Sequence, residues 1–433
     1  MRMNELILYK DMEDGELLQD MTFLMENYNN EYYNEDDMKS LLYSTIGDLT
    51  ELSVSHGFEG NLWHCFLAYC LATHENAYST ACEIVGPVHG TINQLAAHDF
   101  SLMKELFEKD ITSLSGGIWQ YLSEFHGAER TGKVFNRRIR DRIITLARDL
   151  EAAGTTEKFQ ALATGFYKEF GVGRFGLHKA FRIEERKEKS GRERTWIEPI
   201  TSIDHVYLDD LVGYEIQKKK LIENTEAFIE GKEANNVLLY GDAGTGKSSS
   251  VKAILNQYYE KGLRIIEVYK HQFCCLSDVL EEIKDRNYKF IIYMDDLSFE
   301  DFEIEYKYLK AIIEGGLGKK PSNVLIYATS NRRHLIREKF SDKKEILDDL
   351  HGNDTVQEKL SLVARFGVTI YFGAPDKMEF QKIVKTLAKR CDLAISEEEL
   401  YAEANKWELS HGGFSGRTAA QFITHLLGKK TEE

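Results

Sequence analysis

Over residues 1–182 apolar positions recur at spacings of three and four, as in S-L-M-K-E-L-F and I-W-Q-Y-L-S-E-F. That period aligns side chains on one face of an α-helix. An Asn-, Tyr- and acid-rich patch, N-Y-N-N-E-Y-Y-N-E-D-D, reads as a loop between helices. The charged stretch E-E-R-K-E-K-S-G-R-E-R, Glu184 to Arg194, followed by W-I-E-P-I, reads as a linker. Past it the texture changes. The continuous apolar runs N-V-L-L-Y, L-R-I-I-E-V-Y, K-F-I-I-Y-M, N-V-L-I-Y-A-T and G-V-T-I-Y-F alternate with helical segments. Such runs with helices between them predict a parallel sheet covered on both faces. From Pro375 the period is helical again, opened by the D-x-x-E start signal of Asp376 and Glu379. The expected organisation is a helical N-terminal domain (1–182), a charged linker (183–203), an α/β core with a five-stranded parallel sheet (204–373) and a helical segment (374–433).

The first apolar run of the core leads straight into G-D-A-G-T-G-K-S, Gly241 to Ser248, with a helical segment after it. This fits G-x-x-x-x-G-K-[ST] at every fixed position and in the strand–turn–helix context the motif requires. Gly241, Gly244 and Gly246 let the backbone wrap with its N–H groups facing phosphate oxygens, and the following helix adds its positive end. Lys247 can reach the β and γ phosphates, and the Ser248 hydroxyl can ligate Mg²⁺. A second run, F-I-I-Y-M-D-D-L-S-F-E, ends on Asp295 and Asp296. Burying an acid at a strand tip is unfavourable unless a cation or donor meets it. With a phosphate turn nearby, Asp295 is expected to hold Mg²⁺ and Asp296 to orient an attacking water; the alternative is that both merely cap the next turn. Asn331 ends another run, Arg365 precedes the last one, and Arg417 opens a late helical segment.

Residues from about 205 to 430 resemble the AAA+ ATPases, and more closely a bacterial AAA+ family catalogued as an ATP-binding domain of unknown function. The likeness lies in L-D-D-L-V-G-Y-E-x-Q-K, N-V-L-L-Y-G-D-x-G-T-G-K-S-S, D-D-L-S-F-E, Y-A-T-S-N-R-R-H-L-I, E-K-L-S-L-x-x-R-F-G and S-G-R-T-A-x-Q-F. The resemblance implies an α/β P-loop NTPase core with a C-terminal helical lid. It implies an ATP cradle of Gly241, Asp242, Ala243, Gly244, Thr245, Gly246, Lys247, Ser248 and Ser249, with Val212, Gly213 and Tyr214 against the adenine. It makes Asp295 and Asp296 the Walker B pair, Asn331 sensor 1, Arg417 sensor 2 and Arg365 an arginine finger acting on a neighbouring subunit. AAA+ proteins in general carry Glu where Asp296 stands. A carboxylate drawn back by about an ångström can slow a reaction roughly 10²-fold, so slow ATP hydrolysis is expected. Each residue also has a plainer reading. Asn331 could cap its loop, Arg365 could make a surface ion pair, Arg417 could brace its helix, and Arg332 and Arg333 read as surface or subunit-contact residues. Phe273, where some AAA+ rings display an aromatic pore residue, lacks the flanking glycine and reads as packing. Guanine specificity is disfavoured, because N-K-W-E at Asn405 lies in helical sequence rather than after a strand.

Composition narrows the partners. With 71 acids against 55 bases the formal charge is −16, which disfavours non-specific coating of nucleic acid or anionic membrane. The basic segment Arg130 to Arg148 carries an apolar stripe, Ile139, Ile143 and Leu146, so its arginines read as the solvated face of a helix. The six cysteines have no metal-like spacing, and Cys65, Cys70 and Cys82 sit in helical apolar sequence with His74. No signal-like or membrane-spanning run is present, and a cytoplasmic protein with reduced thiols is expected. The leading expectation is an ATP- and Mg²⁺-dependent ATPase that self-associates through Arg365 and engages a protein partner through residues 1–182. The alternatives are a switch or loader on single-stranded nucleic acid, and an ATP-binding scaffold with negligible turnover.

Overall fold

The computed structural model describes residues 3–109, 111, 118–127, 135–187, 193–299, 303, 305–314, 321–331, 335 and 362–430. Arg130, Arg332 and Arg333 lie outside these. The chain divides into two compact units, Met1–His178 and Lys179–Glu433.

The first unit is helical. Four of its helices begin where short polar side chains accept the first free N–H groups: Asn34 for Glu35–His56, Asn61 for Leu62–Thr73, Asn136 for Arg137–Glu151 and Thr155 for Thr156–Phe170. Asn76 and Ser79 form a reciprocal capping box on Ala77–Val85. Trp63, Phe66, Phe100, Trp119, Phe159 and Tyr167 are fully buried in one core. The basic helix Arg137–Glu151 buries Ile139, Ile143, Leu146, Ala147 and Leu150. The carboxylate of fully buried Asp99 accepts the backbone N–H groups of Ile7 (3.0 Å), Leu8 (2.7 Å) and Tyr9 (3.1 Å), pinning the N-terminal segment to the helix Thr91–Glu108. Cys65, Cys70 and Cys82 are buried, and burial pushes the Cys65 thiol up to about 12. Among the described residues no group of three or more His, Cys, Asp and Glu side chains is placed to hold a metal ion, and no helix is long and apolar enough to cross a membrane.

The second unit is built on a sheet of seven strands: β1 (Ala180–Lys187), β2 (Glu193–Pro199), β3 (Val237–Gly241), β4 (Leu263–Glu267), β5 (Lys289–Met294), β6 (Val324–Ser330) and β7 (Val368–Phe372). Their spatial order is β2-β1-β4-β5-β6-β3-β7, and every neighbouring pair is parallel except β1 with β2.

The sheet thus exceeds the expected five strands, because the segment read as a linker over 183–203 contributes a hairpin. Its charge is one face of that hairpin. Phe181, Ile183 and Ile197 are buried, with Ile183 opposite Ile197. The alternate residues Arg182, Glu184, Arg186 and Glu198 pair with one another on the other face, including Arg186 to Glu198 across the strands at 3.0 Å.

Every position of β6 is buried, consistent with a strand covered on both faces. The helices Lys377–Arg390, Glu397–Ser410 and Gly416–Lys430 pack a smaller core of their own around Phe380, Val384, Ala404 and Ala419. Asp376 and Glu379 form the capping box on the first of them.

Candidate functional site

The site gathers where β3, β5 and β6 end. β3 lies between β6 and β7, and its last residue is flush against a neighbour: a Cβ on Gly241 would meet the Phe372 carbonyl oxygen at 2.1 Å. Gly241, Gly244 and Gly246 have φ of 134°, 74° and 93°, the region that favours glycine, so the backbone coils tightly before the helix Lys247–Tyr258 begins. Asp242 fixes the root of the turn: its N–H reaches the Phe372 carbonyl at 2.9 Å and its carboxylate accepts the Ala374 N–H at 2.7 Å. The Lys247 ammonium donates to the carbonyls of Gly241 (2.9 Å) and Asp242 (2.6 Å) and to Asn331 Oδ1 (3.0 Å). Burial pulls this lysine below its ordinary range, against the opposing pull of Asp242, Asp296 and Asp295.

Asp295 and Asp296 follow β5. Three hydroxyls donate to Asp295 Oδ1: Ser248 (2.7 Å), Tyr293 (2.7 Å) and Thr329 (2.5 Å). Burial alone would raise this carboxyl. The hydrogen bonds from Thr329, Ser248 and Tyr293 together outweigh it and hold Asp295 below the ordinary carboxylate value. Asp296 has φ 49°, uncommon outside glycine though tolerated best by Asp and Asn. Its N–H reaches Thr329 Oγ1 at 2.9 Å, and its Oδ1 accepts from Asn331 Nδ2 at 2.8 Å. A continuous polar path therefore runs from Lys247 through Asn331 to Asp296, alongside the Ser248–Asp295 pair.

These groups line a cavity of about 660 Å³. Ala243, Gly244, Thr245, Gly246, Lys247, Ser248, Ser249, Asp295, Asp296, Asn331 and Arg417 form its polar wall. Val212, Tyr214, Leu211, Ile383, Leu387 and Ala420 form an apolar one, which suits a flat ring system. The helix Gly416–Lys430 sits directly on the turn, the Arg417 N–H reaching the Gly244 carbonyl at 3.2 Å. Gly213 separates Val212 from Tyr214 without lining the cavity, and Gly241 and Asp242 lie behind its wall. Arg365 does not border the cavity, and Phe273 is buried against Phe299. Sequence reading missed Tyr293 and Thr329. The first was accessible in principle, since Tyr293 and Asp295 are two apart on one extended run and share a face. The second was not, because Thr329 is brought to the acids only by pairing of β5 with β6.

The model of the family described as "Protein of unknown function (DUF815)" matches residues 178–430. Among curated proteins, the Replication factor C large subunit of Staphylothermus marinus is 38% identical over 71 residues, 16% of either chain. The ORC1-type DNA replication protein 14 of Haloarcula marismortui is 38% identical over 76 residues, 17% of either chain. The chain thus spans about a sixth of the length of these relatives (16% and 17%). Among solved structures, the Thermotoga maritima RuvB Holliday junction branch migration motor aligns at 19% identity and TM-score 0.35, covering 50% of this chain and 63% of that one. A mutant of that motor gives 19% and 0.36, over 51% of this chain and 65% of the other.

Proposed function

The chain belongs to the family described as "Protein of unknown function (DUF815)", and from that premise we propose that its second unit is an AAA+ module that binds ATP with Mg²⁺ and hydrolyses it. The observation that carries this reading is the side-by-side arrangement of Lys247–Asn331–Asp296 (3.0 and 2.8 Å) and Ser248–Asp295 (2.7 Å) at the mouth of a glycine-rich turn. Ser248 and Asp295 suit Mg²⁺: they are hard oxygen donors, already within hydrogen-bond distance of each other. Bound there, the cation would neutralise charge on the phosphates.

The residues of the chain do the rest. The turn's N–H groups and the start of the helix Lys247–Tyr258 cradle the triphosphate. Lys247 gives up its carbonyl and Asn331 contacts to pair with phosphate oxygens, exchanging neutral acceptors for charged ones. Asp296 orients the attacking water, and Asn331 holds Asp296 and that water in register. The apolar wall of Val212, Tyr214, Ile383 and Leu387 receives the base. Arg417, on a helix resting against Gly244, carries the nucleotide state to the C-terminal helices, which act as a lid over 374–433. Arg365, away from the cavity of its own chain, serves a neighbouring subunit's nucleotide. With Asp at position 296 in place of Glu, turnover is slow. The helical unit, expected over 1–182, recognises a protein partner on which the motion acts.

Phosphate release is the test. Wild type is expected to release phosphate slowly, Lys247→Ala and Asp296→Ala not at all, and Arg365→Ala to bind nucleotide without turning it over. Equal release by wild type and Lys247→Ala would defeat the assignment. A role as a loader on single-stranded nucleic acid draws support from the R-F-G sequence at Arg365 and from the names of the curated relatives, and binding of single-stranded DNA that weakens steeply with salt would favour it.

A further inference from the structure

Two hydroxyls outside the phosphate turn hold the acids: Tyr293 reaches Asp295, and Thr329 reaches both Asp295 and Asp296. Tyr293 (4% exposed) and Thr329 (2% exposed) are buried, on β5 and β6 respectively, and both donate to Asp295 Oδ1, at 2.7 and 2.5 Å. Only the third donor, Ser248, belongs to the cradle. A carboxylate on a single strand-tip bond would rotate about its side-chain torsions. Two buried donors on one oxygen fix those torsions before any ligand arrives, and they stay in place whatever Ser248 does.

Thr329 does more. Its Oγ1 accepts the Asp296 N–H at 2.9 Å while its carbonyl accepts the Leu297 N–H at 2.7 Å. The Asp296 residue is therefore gripped on both flanks by one residue of β6, and this is the residue with φ 49°. A left-handed non-glycine conformation persists only where its surroundings over-determine it, and Thr329 supplies two of the bonds that do so here. The result aims the Asp296 carboxylate at Asn331 Nδ2, 2.8 Å away.

We propose that Tyr293 and Thr329 are positioning residues for the metal and water acids: Tyr293 orients Asp295 alone, whereas Thr329 orients Asp295 and Asp296 together. The inference rests on the ATP·Mg²⁺ reading above. Tyr293 does not line the cavity and Thr329 does; each acts through the acid it holds.

The test separates the two roles. Affinity for a ribose-labelled fluorescent ATP is measured with Mg²⁺ and with EDTA, and turnover is measured at saturating Mg²⁺, for wild type, Tyr293→Phe, Thr329→Val and Thr329→Ser. Tyr293→Phe keeps the ring in the core it shares with Val251, Leu255 and Ile265 and loses only the hydroxyl. It is expected to weaken the Mg²⁺-dependent part of the affinity about 10-fold, to leave the EDTA affinity unchanged and to keep kcat once Mg²⁺ saturates. Thr329→Val is expected to weaken the Mg²⁺-dependent part by about 10-fold or more and to lower kcat as well. Thr329→Ser, which restores the hydroxyl, is expected to recover both. A merely structural role would lower the EDTA affinity in step and overturn the proposal. So would a wild-type Mg²⁺ response in both Tyr293→Phe and Thr329→Val when Lys247→Ala abolishes that response. A wild type that binds the probe equally with Mg²⁺ and EDTA would overturn the ATP·Mg²⁺ reading itself, and this inference with it.

Discussion

The two units use polar contacts for opposite ends. In the helical unit several such groups meet a fixed backbone partner: Asp99 takes three N–H groups from Ile7 to Tyr9, Glu83 takes the Val172 N–H at 2.9 Å, and His64 Nε2 meets the Phe107 carbonyl at 3.0 Å. These contacts tie distant stretches of chain together. In the sheet unit the polar side chains bond to one another around a cavity: Lys247, Asn331 and Asp296 in a row, with Ser248, Tyr293 and Thr329 on Asp295. Among the described residues the non-glycine left-handed positions, Tyr214, Asp296 and Asp392, all fall in this second unit, and two of them line the cavity. Those polar contacts in the first unit serve folding; in the second they pre-arrange groups that can change partners.

That contrast breaks first at Asp99. Asp99→Ala leaves three backbone N–H groups without their buried acceptor, and we expect a loss of about 3 kcal/mol or more in urea unfolding, with ATP affinity per folded molecule unchanged. Asp296→Asn should do the reverse. Asparagine tolerates the left-handed backbone and keeps an oxygen for Asn331, so stability should stay within about 0.5 kcal/mol. Phosphate release should fall about 10²-fold, the scale of losing one preorganised charged group. If Asp296→Asn unfolds the protein, or Asp99→Ala alters nucleotide affinity, the division of labour is wrong. The smallest effect is expected at a helix start. Asn76→Ala removes the reciprocal cap on Ala77–Val85 and should lower thermal stability by about 1 kcal/mol with turnover intact.

What the sequence made legible follows from how local each signal is. The apolar runs that became β3 to β7 and the turn Gly241 to Ser248 are contiguous, so period and glycine spacing reveal them. Helix starts such as Asp376 with Glu379 are equally local. The hairpin of β1 and β2 was obscured because its outward face is almost wholly charged. Its alternation of Phe181 and Ile183 with Arg182 and Glu184 carried the strand signal that the charge run hid. The support given to the acids by Thr329 was illegible for a different reason: it depends on register between strands more than thirty residues apart (|i−j| of 34 to Asp295). How closely the helix Gly416–Lys430 rests on Gly244 is likewise a tertiary fact.

A crystal structure with Mg²⁺ and a non-hydrolysable ATP analogue would show whether the glycine-rich turn and Asp295 hold nucleotide and cation between them. Phosphate oxygens are expected on the amides of the turn from Gly241 to Ser248, the cation at the Ser248 hydroxyl and on the Asp295 side, and Lys247 moved from Asn331 to phosphate. Nucleotide bound elsewhere, or a cation remote from Ser248 and Asp295, would contradict this placement.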